Sequence, residues 1–213
     1  MFNSHTTSVR YIAIGDSITL GTGTVLFTPT FVDFYSGSLH SKLECPVKVR
    51  TFAENGATTS DVKRWLSCSQ IPMKHSPVIT VTAGGNDLID AAKAYAITKD
   101  KAVLEEALHE CCLNMSQIVT YLSKELKQNY AHAMIRIVNL YNPIPELTFS
   151  DYWVKAFNRH IDSCSTEKFV KVANVFPVFK GREEQLLASD GIHPNTEGHK
   201  EIAKVLMETG ICL

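Results

Sequence analysis

Short apolar runs alternate with amphipathic stretches from one end of the chain to the other. Runs rich in β-branched residues cover Arg10–Ile14, Val47–Ala53, Val78–Ala83, Met134–Leu140 and Val170–Val175. Their length and near-continuous apolar character predict five buried strands. The stretches between them repeat apolar positions at helical spacing, which predicts helices over Phe31–Leu43, Thr59–Ser67, Lys101–Gln128, Ser150–Cys164 and Thr196–Glu208. The third is the clearest. Leu104, Leu108, Cys111, Met115, Ile118, Leu122 and Leu126 recur at intervals of three and four and make one apolar face, which is core. Ser60 and Asp61, with Thr58 and Thr59, supply capping groups for the second helix, and Asn195 or Thr196 with Glu197 for the last.

Strand and helix in repetition predict an α/β fold, a parallel sheet with helices on both faces. No internal repeat, low-complexity tract or composition shift divides the chain, so one domain spanning 1–213 is expected. In an open parallel sheet, functional groups collect beyond the carboxyl ends of the strands. Those ends carry Gly15-Asp16-Ser17 after the first strand, Glu54-Asn55-Gly56 after the second and Gly84-Gly85-Asn86-Asp87 after the third. Past the fifth, after a longer connection, comes Ser189-Asp190-Gly191-Ile192-His193-Pro194.

Composition narrows the functional classes. With 45% hydrophobic and 20% charged residues the chain reads as a soluble globular protein, and a net charge of −1 without a Lys/Arg cluster argues against nucleic acid as a partner. The opening MFNSHTTSVR lacks a basic segment followed by an apolar one, and no stretch reaches the length of a membrane-spanning helix. The expected location is cytoplasmic, with no integral membrane segment. Six cysteines, at 45, 68, 111, 112, 164 and 212, form no CxxC pair and no Cys/His spacing suited to zinc, so they read as reduced and structural, with no metal site. The pattern carries no reading of oligomeric state.

The four strand-end motifs together resemble the SGNH, or GDSL-like, hydrolase superfamily. GDSIT at Gly15–Thr19 is similar to its nucleophile motif, Gly56 in ENGATT to its glycine, Gly84-Gly85-Asn86-Asp87 to its GxND motif, and Asp190 with His193 to its DxxH motif, in the family's order. In size and motif wording the chain is also similar to bacterial spore-germination lipases. The resemblance implies a three-layer α/β/α sandwich of the SGNH (flavodoxin-like) fold with a five-stranded parallel sheet. It also implies an ester hydrolase acting through an acyl-enzyme, without a cofactor. A serine hydroxyl is a poor nucleophile at neutral pH and needs a base to take its proton. His193 is the candidate base for Ser17, since imidazole both accepts and returns a proton in this range. Asp190, three residues earlier, is the candidate that fixes its tautomer. The family implies three donors to the oxyanion: the backbone N–H of Ser17, that of Gly56 and the side-chain amide of Asn86. Glycine at position 56 reads as allowing close approach of backbone to ligand. Asp16 and Thr19 read as holding the turn, Asp87 as a structural hydrogen-bonder, and His199 as solvent-facing or as support for packing.

Substrate is read from apolar segments near the motifs. After the nucleophile, TVLFTPTFVDFY brings Val25, Leu26, Phe27, Phe31 and Phe34 close to Ser17 in sequence, and Phe27 is the candidate acyl-site residue. The segment equally reads as the start of a core helix. Beyond the fourth strand, NPIPELTFSDYW supplies prolines and aromatics that a loop could bring to the crevice. A small-molecule or lipid ester of lipase or lysophospholipase type is the expected substrate, with a carbohydrate acetyl ester or a thioester as the alternative. A non-catalytic flavodoxin-like binding module is the alternative of a different class, and it would not require GGND and DGIHP together.

Overall fold

The computed structural model describes residues 8–68, 70–72, 77–130, 132–147, 149–166 and 169–212. The N-terminal stretch read for a leader lies outside them up to residue 7, as does residue 148 of the NPIPELTFSDYW segment. In chain order the elements are β1 (Val9–Gly15), α1 (Ser17–Leu20), α2 (Phe31–Leu43), β2 (Val47–Ala53), α3 (Thr59–Ser67), β3 (Val78–Val81), α4 (Gly85–Thr98), α5 (Ala102–Asn129) and β4 (Met134–Val138). There follow α6 (Ser150–Ser163), β5 (Val170–Ala173), α7 (Phe176–Phe179), α8 (Glu183–Leu186) and α9 (Thr196–Glu208).

All five strands pair in parallel, in the order β2-β1-β3-β4-β5. Alternation along the central strands divides the core in two. Ile12, Ile14, Ile79, Ile135 and Ile137 face α3, α5 and α6, while Tyr11, Ala13, Met134 and Val138 face α2 and α9. The predicted three layers follow from this two-sided burial. The chain reverses its direction of travel at β1, which has β2 on one side and β3 on the other, so a crevice opens past their carboxyl ends.

One strand departs from the expectation. The apolar run predicts a buried β2, but it is an edge strand whose Lys48, Val49, Arg50 and Thr51 are exposed. The charges at Lys48 and Arg50 suit an edge, where they discourage pairing with another chain. A buried arginine stands on β4. Arg136 is wholly enclosed, has no carboxylate partner among the described residues, and donates to Gly210 O at 2.7 Å, Thr209 Oγ1 at 2.6 Å and Ile135 O at 3.1 Å. The Gly210 carbonyl and the Thr209 hydroxyl, just past the end of α9, thus receive its charge, a favourable location for a cation.

Candidate active site

The site begins where β1 stops. Asp16 caps α1 by accepting the Ile18 N–H at 3.0 Å and also accepts the Thr82 hydroxyl at 2.8 Å. Thr19 Oγ1 lies 2.8 Å from the same Thr82 oxygen and 3.4 Å from Ile14 O. Thr82, just past β3, therefore ties the turn that carries Ser17 to the centre of the sheet. Burial pushes the Asp16 carboxyl above its ordinary range, and the bonds from Thr82 and Ile18 oppose that. With Asp16 consumed in this way, Ser17 stands as the first residue of α1.

Ser17 Oγ lies 2.9 Å from His193 Nε2, and His193 Nδ1 lies 2.6 Å from Asp190 Oδ2. The other carboxylate oxygen, Oδ1, accepts the N–H groups of Ile192 at 2.9 Å and His193 at 3.0 Å. Asp190 thus closes its own turn and orients the imidazole three residues on, which is the physical content of the DxxH spacing. Burial pushes the Asp190 carboxyl up, but its hydrogen bonds from His193 and Ile192 outweigh this and hold it at about 2. An ionised carboxylate at this position accepts the Nδ1–H, leaving the Nε2 lone pair for the serine proton. The loop is braced from outside as well. Tyr141, stacked on Phe179 at 4.3 Å, donates its hydroxyl to Ile192 O at 2.6 Å.

The remaining strand-end residues gather around the serine. Asn86, in the first turn of α4, donates one amide hydrogen to Ala57 O at 2.9 Å, which fixes the amide plane and leaves its second hydrogen free. Asn55 Oδ1 accepts the Thr22 hydroxyl at 2.7 Å. Gly56 is thus held between a residue tied to the loop after Ser17 and a residue tied to Asn86. Its φ of +80° is the reason glycine is needed, because a Cβ there would meet no other atom within 4 Å. Gly84 is constrained on both counts: its φ is +111°, and a Cβ would lie 2.2 Å from the Phe157 ring. Asp87 accepts the Thr59 N–H and hydroxyl at 2.9 and 2.6 Å, so it joins α4 to the start of α3 as a structural partner.

Beside Ser17, Asn86 and His193 opens an apolar cavity of ≈ 930 Å³, counting its mouth. Leu88, Ile89 and Ala92 of α4 form one wall; Leu140, Pro143, Ile144, Leu147 and Phe149 of the β4–α6 connection, with Trp153 and Val154 of α6, form the other. Asn158 holds Leu140 through both backbone groups, at 2.9 and 2.7 Å, and Asn142 ties the connection to Ser150 and Asp151 at 2.8 and 2.7 Å.

The GDSL-like Lipase/Acylhydrolase family matches residues 13–201 of this chain. The chain belongs to that family. It is a carboxylic ester hydrolase. The spore germination lipase LipC of Bacillus licheniformis is 34% identical over 205 residues, 95% of this chain and 97% of that protein. Among solved structures, the lipase Lip_vut3 from a goat rumen metagenome is 34% identical with a TM-score of 0.90, covering 95% of this chain and 98% of that one. The acetylxylan esterase Axe2 of Geobacillus stearothermophilus shares the fold at a TM-score of 0.69 and 18% identity, over 94% and 93% of the two chains.

Within this GDSL-family site the acyl-site expectation for Phe27 is corrected. Phe27 is 96% exposed and does not line the cavity, whereas Phe31 is wholly buried beneath α9. The neighbourhood of Phe27 and Ser17 in sequence does not persist in space, because the chain turns outward at Gly21–Gly23 and re-enters the core only at α2. His199 supports packing rather than facing solvent: it is wholly buried, stacks on Phe31 and accepts the Phe31 N–H on Nδ1 at 3.2 Å. α4, Thr82 and Tyr141 are not among the elements and residues that the sequence motifs single out. For α4 the signal was available in the helix-forming run LIDAAKAYAI after the glycines; for Thr82 and Tyr141 only the fold reveals the partner.

Proposed function

We propose that Ser17, His193 and Asp190 are the catalytic residues of a lipid-type ester hydrolase, and that the cavity beside Ser17 receives the acyl chain. The observation that carries this reading is the continuous hydrogen-bonded path from Asp190 through His193 to Ser17, ending at the mouth of an apolar cavity. His193 Nε2 takes the hydroxyl proton as Oγ attacks the ester carbonyl. The Ser17 and Gly56 N–H groups and the free amide hydrogen of Asn86 receive the negative charge that develops on the carbonyl oxygen. Collapse releases the alcohol with the proton returned by His193, leaving an acyl group on Ser17. A water molecule then gives a proton to His193 and attacks the acyl carbonyl, and collapse releases the carboxylic acid as His193 returns that proton to Ser17 Oγ. The Asp190 carboxylate stabilises the imidazolium in both halves.

Supporting a single catalytic domain over 1–213 is the sharing of one sheet by both core clusters. The cytoplasmic reading is supported by six free thiols, which suit a reducing compartment. No helix among the described residues is long and apolar enough to cross a membrane.

The substrate reading is tested with esters of increasing acyl length and a common leaving group. Each buried methylene is worth about 0.8 kcal/mol, close to fourfold in kcat/KM, so hexanoate should exceed acetate by well over tenfold. Trp153→Ala should flatten that rise more than it lowers acetate hydrolysis. A kcat/KM that peaks at acetate and falls with each added carbon would replace the lipid reading with an acetylesterase.

A further inference from the structure

The loop that leaves the site exposes three consecutive apolar side chains: Val25 at 71%, Leu26 at 78% and Phe27 at 96%. They lie on a tight turn, closed by the Thr28 N–H donating to Val25 O at 3.0 Å. Phe27 occupies its third position with a φ of +66°, in the left-handed region where glycine is the ordinary choice. A bulky aromatic kept in a strained backbone position, with its ring in water, gains nothing for folding, and such strain concentrates where it serves a function.

Three properties of the turn define its partner. From Ser17 to Val32 the chain carries no charged residue, so nothing ionic resists transfer into an apolar phase. The hydroxyls of the turn are already satisfied within it: Thr24 donates to Gly21 O at 2.7 Å and Thr28 to Val25 O at 2.5 Å. Three side chains on one turn also fall well short of the ~800 Å² per partner that a stable protein interface buries. At its base the loop touches the catalytic machinery, since Gly23 packs so closely that a Cβ on it would come within 2.7 Å of the His193 Cβ. We infer that the turn Val25–Thr28 is an interfacial anchor that inserts Leu26 and Phe27 into the apolar layer of a lipid surface and holds the mouth of the site against it. This deepens the lipid-ester reading and rests on it for its purpose, though not for its test.

Binding is measured by co-sedimentation with phosphatidylcholine vesicles, using the full chain carrying Ser17→Ala so that nothing is hydrolysed. The protein should partition onto the vesicles, and adding Phe27→Gly or Leu26→Ser should weaken partition about tenfold or more, from the apolar burial lost. In the active enzyme, Phe27→Gly should leave kcat/KM on a water-soluble monomeric ester within about twofold and Tm equal or higher. Absence of vesicle binding, or binding unchanged in both variants, would overturn the anchor. So would a dimer in sedimentation velocity that dissociates on Phe27→Gly, which would make a second copy the occupant. Because the binding assay involves no turnover, its outcome is separate from that of the acyl-length series.

Discussion

Asp190→Asn separates two functions that one carboxylate combines. Oδ1 holds the turn through two backbone N–H groups, and Oδ2 faces His193 Nδ1 at 2.6 Å. An asparagine can keep its carbonyl oxygen on the two backbone donors, which places its NH₂ group opposite Nδ1. Two donors cannot face each other, so the imidazole moves its proton to Nε2 and points an N–H at Ser17. The base is then disabled with its position almost unchanged. Loss of the tautomer and of the nearby charge in a serine triad costs up to about 10⁴ in kcat, or roughly 5.5 kcal/mol. The Asp190 side chain is 44% exposed, so solvent screens part of the charge effect, and a loss of about 10³ to 10⁴ is expected. Asp190→Ala should instead lower Tm, because both turn bonds disappear, whereas Asp190→Asn should unfold near wild type. The assay is kcat on acetate and butyrate esters with thermal unfolding of the same preparations. An asparagine variant within threefold of wild type would refute the orientation reasoning. The sign of the carboxyl shift adds a check. With its pKa lowered to about 2, Asp190 contributes stability that is complete above the ordinary carboxyl value of about 3.9 and is lost as pH falls toward 2. In acid urea melts that share of the loss should be absent from Asp190→Asn, and an unchanged loss would place it elsewhere.

Asn86→Ala should lower kcat by about a hundred- to a thousandfold with little change in KM, as for loss of one oxyanion donor; equal kcat on several esters would remove Asn86 from that role. His199 is held down to about 4 by burial, so below the ordinary imidazole value of about 6.5 the unfolded chain takes up a proton that the folded one refuses. Stability should fall by roughly 3 kcal/mol as pH drops from 6.5 to 4. In urea melts, His199→Asn, whose Oδ1 can replace Nδ1 as acceptor for the Phe31 N–H, should show a shallower loss; an equal slope would locate the acid sensitivity elsewhere.

Much of the architecture was legible because local chemistry and tertiary burial agree. The helices Phe31–Leu43, Thr59–Ser67 and Thr196–Glu208 have the bounds their periodicity and caps predict, with the Thr58–Asp61 capping box and the Asn195 cap in place. In β2 the apolar residues predict burial, whereas the alternating Lys48 and Arg50 mark an edge. α4 is hard to see in the sequence because Ala91 is its sole buried residue; Leu88, Ile89 and Ala92 line the cavity while Ile97 is exposed, so its apolar positions make no single core face. The convergence of the candidate site residues was legible for a different reason. A parallel sheet delivers each strand end to the same crevice, so Ser17 and Asn86 meet although 69 positions apart in sequence. The apolar cavity had no such rule to follow. Its walls come from α4, α6 and the β4–α6 connection, and the connection's prolines and aromatics were its only advance sign.

The central claim is that Ser17 is a nucleophile activated by His193. It is tested most directly by reacting the protein with a fluorophosphonate and locating the adduct by peptide mass spectrometry. One phosphonyl group should attach per chain, on Ser17, with none on Ser17→Ala and a rate reduced by orders of magnitude in His193→Ala. An adduct on another residue, or labelling and ester turnover retained by Ser17→Ala, would contradict the account.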